Sequence, residues 1–215
     1  MVGTRLHLVR HGEVFNPDVV LYGRLPGFNL SERGAAMATL ASTELLREGR
    51  PVRRILSSPL ERAQESAKPI SEVFGLPIES VDCFIEASSH LEGGEFAMSL
   101  SILAKPRAWR YLLNPFKPSW GEPFAQVAER MLAELKSVAA ETGEVGDVVV
   151  VSHQLPIWLM HRNAQGRPLF HDPRKRRCAL SSITSFEWRD GSLVEVGYRE
   201  PARSLIDGSI DVGAV

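Results

Sequence analysis

The stretch LHLVRHGE, residues 6–13, changes character in its middle. Its first half is mostly apolar, which predicts a buried β-strand, and Arg10 and His11 follow where that strand ends. Sheets of α/β proteins keep their ligand sites at the carboxyl ends of strands. Arginine offers a planar set of donors for phosphate oxygens, a neutral histidine is a nucleophile, and glycine lets a ligand approach the backbone. The stretch favours phosphoryl transfer to His11, although an Arg-His pair alone also fits a solvated strand end.

A second stretch, ILSSPLERA at residues 55–63, is a short apolar strand that runs into a helix start. Ser58 is expected as the N-cap, with Pro59 at the first helical position and Glu61 completing a capping box. This arrangement places Arg62 in the first turn of the helix. Free backbone N–H groups and the helix dipole favour an anion there, so the arginine would complete a phosphate site.

The third stretch, VVVVSH at residues 148–153, is again a buried strand, and it ends at His153. Three separate strands therefore each bring a cation, or a side chain that can become one, to one edge of a sheet. Because three strand ends converge in this way, phosphoryl chemistry is a better interpretation of these residues than solvated strand ends.

Together these motifs resemble the signature of the histidine phosphatase superfamily, the phosphoglycerate-mutase-like family. The resemblance also includes Asn16, Gly23-Arg24, residues 30–34 and an acidic stretch around Glu86, and it extends to about residue 190. Residues 114–123 and 151–158 are similar to an uncharacterised actinobacterial branch of that family.

We expect an α/β fold: a three-layer α/β/α sandwich with a mainly parallel sheet and an antiparallel edge, as the resemblance also implies. Residues 183–188 and 193–198 predict the antiparallel hairpin, with its turn at Asp190-Gly191. Residues 1–200 would form a single domain with an inserted, lid-like region at 82–121. Residues 201–215 would be a loosely ordered tail.

The resemblance implies a role for each motif residue in catalysis. His11 would attack phosphorus, while Arg10, Arg62 and His153 would neutralise the phosphoryl oxygens. Glu86 would protonate the leaving oxygen, because its apolar neighbours would keep its carboxyl protonated. Glu92 and Glu95 are rival acids on the same loop, where a carboxylate could instead cap a turn or pair with an arginine.

Three further residues are expected at the phosphate or substrate. The resemblance implies Asn16 as an amide donor and Arg24 as a cation on the substrate side, although a solvated loop arginine is the alternative for Arg24. Gln154 stands where the family usually has glycine. This difference predicts a tighter pocket or an added amide contact there.

Composition limits the partners that the chain is expected to bind. The chain has 215 residues, a net charge of −1 and two cysteines, Cys83 and Cys178, which fits a cytoplasmic protein in a reducing compartment. No stretch approaches the roughly 20 apolar residues of a membrane helix. The basic run at 174–177 could bind nucleic acid, but a solvated loop or a rim that attracts anionic substrates is favoured.

These patterns predict a metal-independent phosphatase that acts on a small metabolite or sugar phosphate through phosphohistidine, without a cofactor. Its partner would be a small phosphorylated substrate, with no nucleic acid and no membrane, and a homodimer is an open alternative to a monomer. Two other functions stay open: a phosphoglycerate-type mutase that needs a bisphosphoglycerate primer, and a non-catalytic phosphate-binding protein.

Overall fold

The computed structural model of the chain describes residues 4–89, 92–93, 121–143, 146–209 and 211. Within these residues, strands and helices alternate along most of the chain, and two strands close it. In chain order they are β1 (Arg5–Arg10), α1 (Glu32–Arg47), β2 (Val52–Ser57), α2 (Glu61–Phe74), β3 (Ile78–Ser80), α3 (Phe124–Thr142), β4 (Asp147–Ser152), α4 (Gln154–Ala164), β5 (Ile183–Arg189) and β6 (Ser192–Arg199).

The strands form one six-stranded sheet in the order β3-β2-β4-β1-β5-β6. The first four strands of that order pair in parallel, whereas β5 pairs antiparallel with both β1 and β6. The β5–β6 hairpin turns at Asp190-Gly191, where both residues have positive φ. The predicted mainly parallel sheet with an antiparallel edge is confirmed.

Both faces of the sheet are covered by helices, as the alternation along β4 illustrates. Val148 and Val150 belong to one buried cluster with the apolar faces of α3 and α4. Val149 and Val151 belong to another cluster, with α1 and α2. Because successive side chains of a strand point to opposite faces, a strand buried on both sides reads as a continuous valine run.

Strand register decides which residues meet at the carboxyl edge of the sheet. Arg10 of β1 lies opposite Ser152 of β4, and Ser57 of β2 lies opposite Val151. The residue that follows each strand therefore leaves the sheet at nearly the same level. These residues are His11, Ser58 and His153.

The start of α2 differs from the predicted capping box. The helix begins at Glu61, its N-cap residue is Leu60, and no side chain caps it. The Ser58 hydroxyl instead makes a 2.7 Å hydrogen bond with His153, a residue from another strand end. The predicted position of Arg62 in the first helical turn is confirmed.

The beginning of the expected tail is packed against the domain. A short 3-10 helix spans Arg203–Leu205, and Ala202 is buried in a cluster with Met37 and Leu180. Of the lid-like region, the structure describes residues 82–89, 92–93 and 121, so Glu95 lies outside the described residues. Among the described helices, none is long and apolar enough to cross a membrane.

A close backbone approach fixes the turn after β1 against the start of α1. A Cβ on Gly34 would lie 2.0 Å from the Glu13 carbonyl oxygen, and a Cβ on Gly12 would lie 2.3 Å from the Gly34 carbonyl oxygen. Only glycine fits at either position without moving the backbone.

We therefore expect Gly34→Ala to lower the free energy of unfolding by about 1–3 kcal/mol, as overpacking does. Gly197→Ala is the matched control, because a Cβ there meets no heavy atom within 4 Å in the described structure. Urea denaturation of both variants measures the effect. Equal stability of the two variants would contradict the close approach.

Candidate active site

Two histidine rings lie side by side at the carboxyl edge of the sheet. The ring centroids of His11 and His153 are 5.2 Å apart, with planes inclined by 58°. The His11 N–H donates to the Ser152 carbonyl (3.1 Å), and the Gly12 N–H donates to the Ser66 hydroxyl of α2 (3.1 Å). Backbone hydrogen bonds therefore fix the strand end that carries His11.

The His11 ring is buried, and its contacts define its tautomer. Nδ1 lies 2.7 Å from the Gly12 carbonyl oxygen, which can only accept, so Nδ1 carries the proton. Burial lowers the pKa of His11 well below its usual value, and the charges of Arg62 and Arg10 lower it further. His11 is thus a neutral imidazole with its lone pair on Nε2, the state that a nucleophile requires.

His153 is fully buried, and one of its ring nitrogens makes a hydrogen bond with Ser58. Its Nε2 lies 2.7 Å from the Ser58 hydroxyl, which also accepts from the Leu60 N–H (3.4 Å). When this hydroxyl donates its own proton to Nε2, the imidazole proton lies on Nδ1, and that nitrogen can then act as a donor. Burial lowers the pKa of His153 well below its usual value, with Arg62 as the largest neighbouring cause.

Arg10, the last residue of β1, is buried and anchored by two acceptors. Its Nη1 donates to the Cys178 carbonyl (2.6 Å) and to the Asp211 carboxylate (2.9 Å), and Nη2 donates to the other Asp211 oxygen. Burial acts to lower the pKa of Arg10, but the Asp211 carboxylate raises it more, so the net shift is upward.

Arg62 enters the site from the first turn of α2. Its Nη2 donates to the Gly23 carbonyl (2.6 Å), and its guanidinium carbon lies 4.7 Å from the centroid of the Tyr22 ring. Tyr22 stacks on Phe28 at 5.1 Å and meets His11 edge-on at 6.5 Å. The pKa of Arg62 is lowered by burial, because these neutral neighbours compensate only part of its desolvation.

Several polar atoms of these residues are buried and lack a hydrogen-bond partner within the described structure. They are Arg10 Nε, Arg62 Nε, Arg62 Nη1 and His153 Nδ1. Buried donors of this kind each cost about 1–3 kcal/mol, so native proteins rarely leave them unpaired. A cluster of them around one nucleophile is what an anion-binding site requires.

Glu86 lies buried on the loop that follows β3. The Ser152 hydroxyl donates to the Phe84 carbonyl (2.7 Å) and so ties this loop to β4. The Glu86 Oε1 accepts from the Ala87 N–H (2.9 Å). Burial raises the pKa of Glu86, although the hydrogen bond from the Ala87 N–H and the charges of Arg62 and Arg176 act against the shift. The carboxyl therefore keeps its proton to a higher pH than an ordinary glutamate.

A polar network braces the backbone at Glu86. Arg24 donates from Nε to the Glu86 carbonyl (2.6 Å) and from Nη2 to Glu122 (2.7 Å). Arg130 of α3 donates to Glu122 (2.9 Å) and to the carbonyls of Cys83 and Glu86. In this structure Arg24 supports the backbone of the loop that carries Glu86. Its role toward substrate stays a prediction.

Three other predicted residues, Asn16, Glu92 and Gln154, make hydrogen bonds to residues other than the two histidines. The Asn16 amide group donates to the Val20 carbonyl (2.8 Å) and its oxygen accepts from the Val20 N–H (2.9 Å), so these bonds close its own loop. Glu92 accepts from the Ser89 N–H (2.9 Å), as a turn-capping carboxylate does. Gln154 accepts from Arg176 (3.3 Å).

The basic run separates into outward and inward side chains. Arg174 pairs with Asp172 (2.8 Å) at the surface, whereas Arg176 donates from Nε to His171 Nε2 (2.9 Å). The His171 Nδ1 lies 2.7 Å from the Leu169 carbonyl, and burial lowers the pKa of His171 to about 4. Arg176 is half-buried, and burial lowers its pKa to about 10.

A family model supports the motif-based identification. The model of the histidine phosphatase superfamily (branch 1) matches residues 6–200. The chain belongs to this superfamily. Within the described residues, no three His, Cys, Asp or Glu side chains come together as metal ligands.

Known proteins similar to this member of the superfamily include an uncharacterised relative. Protein Rv0525 of Mycobacterium tuberculosis is 44% identical over 199 residues, which are 93% of this chain and 97% of that protein.

Solved structures share the fold at lower identity. Bacillus stearothermophilus YhfR superposes with a TM-score of 0.75 at 23% identity, covering 98% of this chain and 99% of that one. The mycobacterial glucosyl-3-phosphoglycerate phosphatase Rv2419c, in a complex with VO3, has a TM-score of 0.73 at 24% identity, covering 90% and 98%. The alpha-ribazole phosphatase of Shigella flexneri has a TM-score of 0.71 at 20% identity, covering 99% and 98%.

Four residues of this candidate site were not predicted from the sequence as site residues. Tyr22 lies against both His11 and Arg62, Ser58 binds His153, and Asp211 binds Arg10. Arg176 was predicted only as part of a basic run. The signal for Tyr22 was available, since a lone tyrosine beside Gly23-Arg24 in a long loop is a residue with an apolar body and a polar tip. Asp211 carried no comparable local signal.

Burial of a neutral His11 makes folding stability depend on pH. The pKa of His11 is lowered in the folded state, so below about pH 6.5 the unfolded chain binds a proton that the folded chain does not. Stability from this group therefore falls as pH decreases. We expect the stability of His11→Ala relative to wild type to rise from pH 7 to pH 5, by up to about 1.4 kcal/mol per pH unit.

Urea denaturation of both proteins at pH 7, 6 and 5 measures this difference. Parallel stability curves over that range would show that His11 titrates normally in the folded protein.

Proposed function

We propose that this protein is a phosphatase that hydrolyses phosphomonoesters of a small metabolite or sugar phosphate through a phosphohistidine on His11. The observation that supports it most is the set of buried donors without partners, Arg10 Nε, Arg62 Nε and Nη1, and His153 Nδ1, beside His11. Donors from three side chains, two arginines and one histidine, near one neutral imidazole suit a phosphoryl group better than any neutral ligand.

In the first chemical step, the lone pair on His11 Nε2 attacks phosphorus in line with the ester oxygen. A nitrogen–phosphorus bond forms as the phosphorus–oxygen bond to the leaving group breaks. The leaving oxygen takes the proton of Glu86, whose raised pKa keeps that proton to a higher pH than in an ordinary glutamate. Arg10 and Arg62 offset the negative charge that spreads over the phosphoryl oxygens in the transition state.

In the second step, water attacks the phosphorus of phosphohistidine. Glu86, now a carboxylate, accepts a proton from that water, and the nitrogen–phosphorus bond breaks to release inorganic phosphate. Both residues return to their starting protonation states. The two steps use the protein's own side chains.

Transfer of the phosphoryl group back to a sugar acid, as in a mutase, is the competing reaction. The solved structures with this fold include a glucosyl-3-phosphoglycerate phosphatase and an alpha-ribazole phosphatase, which makes hydrolysis the first reaction to test. A mutase would isomerise 3-phosphoglycerate only when primed with 2,3-bisphosphoglycerate.

Hydrolysis of p-nitrophenyl phosphate with EDTA present, between pH 5 and 8, tests the proposal. We expect turnover by the wild type and a loss of about a thousandfold or more in His11→Ala, because the variant lacks the nitrogen that would bond to phosphorus. Acid-labile labelling of the wild type by ³²P substrate, absent from the variant, would identify phosphohistidine.

Activity retained in His11→Ala would overturn the nucleophile. If neither protein turns over, the primed mutase assay decides between the transferase and a phosphate-binding protein.

The role of Glu86 as the acid is tested by changing the leaving group. We expect Glu86→Gln to lower kcat by about a hundredfold to ten-thousandfold with an alkyl phosphate, whose alkoxide must be protonated. With p-nitrophenyl phosphate the loss should be about tenfold or less, because p-nitrophenolate leaves without a proton. The alkaline decline in wild-type activity, due to ionisation of Glu86, should disappear in the variant.

Glu92→Gln is the matched control on the same loop. Equal losses with both leaving groups in Glu86→Gln, or a leaving-group effect in Glu92→Gln instead, would assign the acid to another carboxyl.

A further inference from the structure

The C-terminal segment sends one carboxylate into contact with Arg10. Asp211 lies 201 positions beyond Arg10 in the chain, and its two oxygens accept from Nη1 (2.9 Å) and Nη2 of the same guanidinium. The Arg10 side chain is 1% exposed, whereas that of Asp211 is 36% exposed. A buried catalytic cation is therefore paired with a carboxylate that reaches it from the protein surface.

The stereochemistry of the guanidinium shows which of its edges this pair uses. The two Nη atoms form the end-on edge, and Asp211 occupies it. The second proton of Nη1 goes to the Cys178 carbonyl (2.6 Å). This leaves Nε–H and the second proton of Nη2, which are parallel and form the side-on edge.

The side-on edge of Arg10 is the edge that remains available to bind an anion. Arg10 Nε is buried and without a hydrogen-bond partner in the described structure, like the donors of Arg62 and His153 beside it. Two parallel N–H groups fit two oxygens of one phosphoryl group, as in other bidentate arginine contacts. Asp211 and a phosphoryl group can thus bind the same arginine on different edges.

We propose that Asp211 is a positioning residue that holds Arg10 end-on, so that its side-on edge is directed at the phosphoryl group attached to His11. This inference rests on the proposed phosphatase function and extends the site to the C-terminal segment. Asp211 contacts Arg10 and not the substrate, so its effect on catalysis is indirect.

The opposite hypothesis is that Asp211 acts as an internal competitor, a carboxylate bound where phosphate should bind. The two hypotheses predict opposite signs. Removing a positioning residue weakens binding of a phosphoryl analogue, because Arg10 loses its orientation. Removing a competitor strengthens it.

The experiment measures orthovanadate binding by calorimetry and kcat for p-nitrophenyl phosphate in wild type, Asp211→Ala and Asp211→Asn. We expect Asp211→Ala to weaken vanadate binding and to lower kcat by about tenfold or more, since small displacements of a catalytic group are costly. Asp211→Asn keeps one acceptor for the guanidinium and should recover part of both losses. Asp207→Asn, an exposed charge removal in the same segment, should match the wild type.

Tighter vanadate binding, or unchanged binding and kcat, in Asp211→Ala would overturn the proposal. Failure of the phosphatase function is a separate result: a wild type without turnover still reports on Arg10 through vanadate affinity in the three proteins. A loss of the same size in Asp207→Asn would assign the effect to the segment as a whole and would also reject the role of Asp211.

Discussion

The site depends on the burial of two guanidinium groups at one edge of the sheet. Arg10 and Arg62 are both almost inaccessible to solvent, and a buried charge is tolerated only when neighbours compensate for its lost hydration. The protein compensates each one incompletely, with carbonyls, an aromatic face and one carboxylate, and leaves several donors unpaired. A bound anion can supply the hydrogen bonds and the compensating charge that these donors lack.

The same two charges set the protonation states needed for catalysis. They act with burial to keep His11 and His153 neutral, so under the proposed mechanism His11 does not have to lose a proton before it attacks phosphorus. Glu86 experiences the opposite balance, because burial raises its pKa while Arg62 and Arg10 lower it. Burial prevails for Glu86, and a neutral carboxylic acid can therefore exist beside cations without being ionised by them.

The sequence predicted the parts of this site that are local in the chain. Each strand end at Arg10, Ser57 and Ser152 follows from an apolar run that stops at polar residues, and the parallel sheet brings those ends to one edge. The N-cap at Ser58 was wrong because its hydroxyl binds a histidine 95 positions away, a contact that no local pattern contains. Local cap preferences lose when a tertiary hydrogen bond competes for the same side chain.

The same limit explains the long-range partners of the arginines. Arg24 matched a family position, yet in this structure its hydrogen bonds go to the Glu86 carbonyl and to Glu122, a residue 98 positions away. Asp211 belongs to a segment expected to be loose, and only the folded chain brings it to Arg10. Sequence motifs therefore indicate which side chains meet at the strand ends, whereas the groups that orient these side chains depend on tertiary contacts.

The unequal treatment of the two arginines indicates how their work is divided. Arg10 has a carboxylate partner, which raises its pKa and neutralises much of its charge within the site. Arg62 has a carbonyl and the face of Tyr22, which leave its charge largely uncompensated and its pKa lowered. Arg62 is thus the less compensated positive charge of the two, while Arg10 is held in a fixed orientation by Asp211 and the Cys178 carbonyl. Two arginines that look equivalent in the motifs differ in function because of what is packed around them.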